Sequence, residues 1–306
     1  MRIPKTLGLL GLAFIACIAS AAQPSDDDVV ANAFPPGLTL GKGVHGKWWT
    51  FATADLNHSG QPLLVALYTN GSRAALEVVS RSGSVLAGSQ VNGMKGTTGE
   101  IELADLDHDG TPEILAHLYA GHGVNRPDTW VFAWRNGALT LVSPMQVVRG
   151  NAITLLGQTA AVDLAGDGTR QLLAFPGAVF DADGNDISGD TIVYSYSNGA
   201  LQKASGTYVY ADDFRRSTAK PEVSSGAFTS AVGVSTLHVV QNDTPVTSGR
   251  ITLNGTEVVA ADAFKAKAHA FTVPITLAAH NTLSVQLEGQ PGASVLVMIE
   301  TPRASQ

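Results

Sequence analysis

The chain has 306 residues, 19 Lys and Arg against 26 Asp and Glu, a formal charge of −7 and a single cysteine. Its acidic balance and the lack of any lysine or arginine block exclude nucleic-acid binding. Beyond the first 21 residues no apolar run approaches the ~20 needed to span a bilayer, while the length permits one large domain or two moderate ones.

Residues 1–21 carry Arg2 and Lys5, an apolar stretch over residues 7–18, and the small residues Ala19, Ser20 and Ala21, the pattern of a secretory signal peptide. Cleavage after Ala21 removes Cys17, leaving a mature chain with no disulfide and no thiol. Taking Arg2 and Lys5 from the 19 basic side chains leaves 17 against 26 acidic ones, a mature charge of −9. The protein is therefore expected to be secreted or periplasmic. Phe14-Ile15-Ala16-Cys17 offers a second reading, a lipobox that would anchor the chain by a lipid on Cys17.

An N-terminal segment follows at 22–44, opening with Asp26, Asp27 and Asp28, which keep a terminus soluble. From 45 to 214 the chain alternates short β-type apolar runs with an acidic loop that recurs at residues 55–60, 105–110 and 163–168. Apolar runs at 51–54 and 63–67 flank the first loop, 101–104 and 114–116 the second, 160–162 and 172–175 the third, so each loop reads as a strand-to-strand connection. Further strands are predicted at 74–80, 84–90, 129–134, 138–142, 191–196 and 200–202, with Asn136-Gly137 and Asn198-Gly199 as hairpin turns. The leading aspartates lie 50 and then 58 residues apart, a spacing suited to a four-stranded propeller blade.

Calcium chemistry explains the loops: a hard cation takes six to eight oxygens, and alternate side chains of a tight turn point inward together. The second loop is best equipped, with Asp105, Asp107 and Asp109 as carboxylates, the Thr111 carbonyl at the seventh position and Glu113 at the ninth. The first offers Asp55, Asn57 and Ser59 but has Leu63 at the ninth position. The third keeps Asp163, Asp167 and Thr169, with Ala165 in place of one ligand and Gln171 in place of the closing acid. A helical EF-hand is excluded by Ala116, which stands where a bidentate Glu is required. His58 and His108, at the fourth position of two loops, are expected to face solvent. Asp181, Asp183, Asn185 and Asp186 form a solvated insertion.

These three segments resemble FG-GAP/VCBS repeats, the blade units of integrin-α-like β-propellers, and the resemblance implies a calcium loop between the first two strands of each blade. Three blades do not close a ring, so the array needs a cap from residues 29–44, from residues 206–223, from the C-terminal module or from another chain. An open propeller edge is also a route to self-association.

The basic, proline-containing segment 215–223 reads as a linker. Beyond it, alternating strands over 236–241, 250–253, 257–259, 270–277, 282–287 and 294–299, with an Asn254-Gly255 turn, give a β-sandwich at 224–306 that resembles bacterial Ig-like modules. The fold class expected is all-β: a short propeller of about three blades followed by a small sandwich.

No nucleophile elbow, zincin motif or phosphate-cradling loop is present, and no catalytic residue is assigned. His117 and His122 are the histidines considered for catalysis, and both read better as structural. Trp48, Trp49, Tyr119, Trp130 and Trp134 could stack on sugars, but blade packing is their expected use, and the even spacing of Trp130 and Trp134 puts them on one face. The function expected is that of a secreted calcium-binding repeat protein acting in adhesion to, or recognition of, an extracellular protein or glycan. The alternatives are a propeller-type carbohydrate-active lyase or hydrolase, marked by a cleft gathering acids or histidines that are not metal ligands, and a structural part of a cell-envelope assembly.

Overall fold

A computed structural model describes residues 24–40, 50–70, 73–91, 98–119, 128–148, 151–175, 191–216, 222–241, 246–265 and 269–302. The leader with Cys17, Trp48, Trp49, His122, the acidic insertion at 181–186 and residues 217–221 of the expected linker lie outside them. Among the described residues no helix is long and apolar enough to cross a membrane.

The three aspartates near the start do more than solubilise. They form the first turn of helix α1 (Asp26–Asn32), where Ser25 and Asp28 close a capping box and the carboxylates meet the positive end of the helix dipole. Asp26 also pairs with Arg81 at 2.6 Å. Strand β1 (Thr39–Leu40) follows.

Three antiparallel sheets come next. The first holds β2 (Phe51–Ala54), β3 (Leu63–Thr69), β4 (Ala74–Val79) and β5 (Val85–Val91), with β1 and β2 sharing one edge of β3. The second holds β6 (Thr98–Ala104), β7 (Glu113–Tyr119), β8 (Asp128–Arg135) and β9 (Ala138–Leu141). A hairpin of β10 (Met145–Val148) and β11 (Asn151–Thr154) leads to the third, β12 (Gln158–Val162), β13 (Gln171–Phe175), β14 (Ile192–Ser197) and β15 (Ala200–Lys203). Each acidic loop joins the first strand of its sheet to the second, as the sequence predicts. Asn136-Gly137 and Asn198-Gly199 close hairpins with positive φ at both residues, the conformation that makes Asn-Gly the preferred pair.

The sheets stack face to face. Every residue of β3 and of β7 is buried, because each strand is covered on both faces and reads as a continuous run rather than an alternation. On one face of β3, Leu63, Val65 and Leu67 pack on Ile114, Ala116 and Leu118 of the second sheet. Leu115, Val131 and Ala133 turn to Leu172, Ala174 and Tyr194 of the third. The approach is close at Gly99, where a Cβ would stand 2.5 Å from Leu67 Cδ2.

Both ends of the stack are capped from within the chain. On the free face of the first sheet, Val29, Val30, Ala33 and Leu38 cover Leu64, Ala66 and Tyr68, and the Tyr68 hydroxyl donates to the Val30 carbonyl at 2.9 Å. Burial of the two valines contributes about 1.5–3 kcal/mol each. On the far face of the third sheet, Leu173 and Val193 pack on Val240, Leu296 and Met298 of the C-terminal module.

That module is a sandwich of β16 (Thr207–Arg215), β17 (Glu222–Thr229), β18 (Gly233–Gln241), β19 (Ser248–Leu253), β20 (Thr256–Val259), helix α2 (Ala261–Lys265), β21 (Ala270–Leu277), β22 (His280–Glu288) and β23 (Ser294–Thr301). Its sheets run β16-β23-β18-β21 and β17-β22-β19-β20 around a core with Leu237, Ile251, Phe264, Val285 and Val297. Here the structure moves a boundary. Strand β16, assigned by sequence to the repeats ending at 214, pairs along β23 and sends Phe214 into the sandwich core, and of the expected linker at 215–223 Arg215 belongs to β16 and Glu222 and Val223 to β17. A single bridge, Thr191 to Tyr208, ties β16 to the third sheet.

Candidate functional site

The three loops share one internal wiring. The leading aspartate of each accepts backbone N–H bonds from the fifth and sixth residues: Asp55 from Ser59 at 2.9 Å and Gly60 at 2.7 Å, Asp105 from Asp109 at 3.1 Å and Gly110 at 2.9 Å, Asp163 from Asp167 at 3.2 Å and Gly168 at 2.8 Å. The bonds from Gly60 and Ser59 hold the Asp55 carboxyl below its ordinary range. At Asp163 burial pushes upward, and the N–H groups of Gly168, Gly166 and Asp167 outweigh it.

A leucine at the second position of each loop plugs into a core. Leu56 joins the core between the first and second sheets, Leu106 the next, and Leu164 packs against the third sheet's contact with the sandwich. Sequence reasoning missed this anchor, although the repeated Asp-Leu pair is its signal. The ninth residue then braces it: Glu113 Oε2 accepts from Leu106 N at 3.0 Å and Gln171 Oε1 from Leu164 N at 3.0 Å.

Only the second loop brings its carboxylates together. Asp105, Asp107 and Asp109 each place an oxygen within 4.8 Å of the others, the one such group of three among the described residues. Asp107 Oδ1 is buried without a hydrogen-bond partner. Burial first, then the charges of Asp109 and Asp105, raise the Asp107 carboxyl. Glu113 is pushed up to about 8, by burial first and with the Asp107 and Asp109 charges adding to it, against the bond from Leu106. Crowded, desolvated carboxylates of this kind fit a hard divalent cation. In the same loop Thr111 N donates to Asp109 at 2.7 Å.

The fifth residue accepts an N–H bond from the seventh in the other loops too, Ser59 Oγ from Gln61 N at 3.2 Å and Asp167 from Thr169, and the loops differ at the third position, which is Asn57 in the first and Ala165 in the third. Asn57 Oδ1 accepts from the Trp134 indole at 2.8 Å, and Ser59 Oγ bonds Asp55 and the Gln61 carbonyl. In the third loop Asp167 Oδ1 accepts from Thr169 N at 2.9 Å. His58 and His108 are exposed, as expected, and each also reaches the following loop: His58 Nε2 bonds Thr111 Oγ1 at 2.7 Å, and the His108 ring lies against Gly168. Both histidines have positive φ, which turns them toward the neighbouring loop.

Beside the loops lies a cleft of about 1240 Å³, walled by the first strands of the three sheets and by the sandwich. Glu102 of β6, Arg170, Asp213, Arg215 and His269 line it. No local motif marks these residues, because the fold assembles them from separate units. Behind Glu102 a polar chain runs into the gap between the second and third sheets. Glu102 Oε2 bonds His117 Nε2 at 3.2 Å, His117 Nδ1 bonds Thr129 Oγ1 at 3.0 Å, and Thr159 Oγ1 donates to Thr129 at 3.1 Å. His117 itself is fully buried, and Tyr119, Trp130 and Trp134 are buried as well, the two tryptophans on one face.

No protein-family model and no curated protein matches the chain. Solved structures similar to it include an exo-β-1,3-galactanase from Phanerochaete chrysosporium, 14% identical over 87% of this chain and 70% of that one, with a TM-score of 0.22. An exo-inulinase from Aspergillus awamori is 9% identical over 83% and 68%, with a TM-score of 0.25. The biofilm matrix protein Bap1 of V. cholerae is 10% identical over 88% and 68%, with a TM-score of 0.22. Likenesses this slight carry no argument about what the chain does.

Proposed function

We propose that the chain is a calcium-stabilised recognition protein of FG-GAP/VCBS type, a short propeller-like array of three blades that works outside the cytoplasm in adhesion to, or recognition of, a glycan or protein. The observation that carries this reading is the convergence of Asp105, Asp107 and Asp109, with Asp107 Oδ1 buried and unpartnered. Those three carboxylates, with Glu113 and the Thr111 carbonyl, would hold the ion. When bound, calcium neutralises the crowded charge and stiffens the loop; it is assigned no catalytic step. The chain's own residues set the frame: Leu106 pins the loop to the core, and the Asp109 and Gly110 N–H groups orient Asp105.

Thermal unfolding with calcium and with chelator tests this. A ligand bound only by the folded state raises stability, by about 2.7 kcal/mol at a hundredfold excess over Kd. Calcium is expected to raise Tm in the native chain and to leave Asp107→Ala unmoved.

A second reading, a carbohydrate-active lyase or hydrolase, is favoured by one feature: Glu102 and its buried partner His117 place an acid that is no loop ligand on the cleft wall. Release of reducing ends from a polysaccharide, abolished in Glu102→Gln, would support it.

A further inference from the structure

We propose that two copies of this chain join as a symmetric dimer, with strand β17 of one sandwich pairing antiparallel with β17 of the other; this goes beyond the recognition reading and does not depend on it. Strand β17 pairs with β22 along its whole length, and among the described residues no strand pairs with its other side. An edge strand of this kind turns half of its N–H and C=O groups outward, and the partner that satisfies them is another strand.

The other edges described are blunted. Strand β16 has a bulge at Tyr208/Tyr210 and the charges of Asp212, Asp213 and Arg215, and β21 holds Pro274. Strand β5 is bulged opposite Val78 and Val79, and β6 carries Glu100 and Glu102. Edge strands β1, β2, β9, β12, β15 and β20 have five residues or fewer. Strand β17 has eight residues, no proline, no bulge and no lysine or arginine, and its one charged residue, Glu222, is its first. Sheets use such devices against edge-to-edge pairing, so the edge that lacks them is the one left open to a strand.

Three features fit a second copy as that strand. From Val223 to Thr229 the strand is uncharged, so β17 meets itself without a like-charge pair. Antiparallel pairing puts the two Glu222 positions at opposite ends of the seam, roughly 24 Å apart at ~3.4 Å per residue and well beyond the ~8 Å screening length. Val223 is 61% exposed at one end of β17 and Val232 is 73% exposed just past the other. A two-fold axis brings the Val223 of each copy to the end where the Val232 of the other stands, which covers both. Finally, Phe228 packs on Tyr210 with ring centroids 5.0 Å apart and the Tyr210 hydroxyl lies under Gly226, so the strand is held from its inner side and accepts a partner without rearrangement. The same hydroxyl bonds Asp212 at 3.4 Å, and that acid is exposed, so its two copies repel beside the seam and salt strengthens the pair. A patch that contacts itself across a two-fold axis closes at two copies.

The test is light scattering of the leaderless chain over a concentration series at low and near-physiological salt, with amide hydrogen exchange at both ends of the series. The mass should rise to twice that of the single chain and stop there, more readily at the higher salt. Amides of β17 should gain protection with concentration, while those of β21, an edge of the other sheet, do not. Ala227→Lys and Val223→Lys, both at exposed positions, set like charges on the two sides of the seam and should each weaken dimerisation about tenfold or more. Thr272→Lys, exposed on β21, should leave it unchanged, and all three variants should melt like the parent. Association that runs past two copies, a dimer left intact by Ala227→Lys and Val223→Lys, an equal loss in Thr272→Lys, or no concentration-dependent protection in β17 overturns the proposal. A parent that stays monomeric at every concentration overturns it as well, and leaves the β17 edge to a strand from another protein.

Discussion

The imidazole of His108, fourth residue of the second loop, lies against Gly168, sixth residue of the third, so closely that a Cβ at 168 would run into the ring. The same step is taken one sheet earlier, where His58 bonds Thr111 and lies 3.6 Å from the point a Cβ on Gly110 would occupy. At the end of the series the fourth residue is Gly166, and the sandwich backbone at Ala270 stands next to it, 4.0 Å from its Cβ position. The loops therefore form a connected row along one side of the stack. An ion ordering the second loop would act on both neighbours through these contacts.

Gly168→Ala tests the row. The new methyl meets the His108 ring, and φ of +93° is strained for any side chain, so a loss of about 1–3 kcal/mol is expected in urea unfolding. Adding His108→Ala should recover the steric part and leave the backbone part. An unchanged midpoint in Gly168→Ala would mean the two loops do not touch.

Val30→Asp tests the N-terminal cap. Val30 is fully buried and its carbonyl receives the Tyr68 hydroxyl. A charge there should release α1, cost about 2–4 kcal/mol, and uncover Leu64, Ala66 and Tyr68. Light scattering across a concentration series should then show association beyond that of the parent. A variant with parental mass and stability would show that α1 is not needed to close the stack.

Acid titration of stability should reveal Asp128. Burial raises its carboxyl from the ordinary 3.8 to about 6, so folding favours the neutral form. Its contribution is full below pH ~4, where folded and unfolded chains are both protonated, and is lost as pH rises through about 6. The size is on the order of 2–3 kcal/mol. Asp128→Asn should be flatter than the parent between pH 4 and 7, and identical slopes would contradict the burial.

Much of the fold was legible because it is local. Asn136-Gly137 and Asn198-Gly199 announce their hairpins through the positive φ they adopt, and the β3 and β7 runs announce burial on both faces. The convergence of Asp105, Asp107 and Asp109 follows from alternate spacing in a tight loop. What stayed hidden depends on partners distant in sequence. Tyr208 and Phe214 look the same whether β16 ends a blade or opens a sandwich, since only pairing with β23 decides. Asn57 has the chemistry of a ligand, yet Trp134 takes its oxygen from the next sheet. Glu102, Arg170 and Arg215 share a cleft only once three sheets and the sandwich are stacked.

Calcium titration calorimetry of the leaderless chain beside Asp107→Ala addresses the metal loop itself. The parent should bind at least one calcium ion per chain, and the variant should lose the site built on Asp105, Asp107 and Asp109 while the rest of the fold melts as before. No calcium bound by the parent, or equal binding in the variant, would contradict the calcium-loop reading and reduce the acidic loops to internally bonded turns.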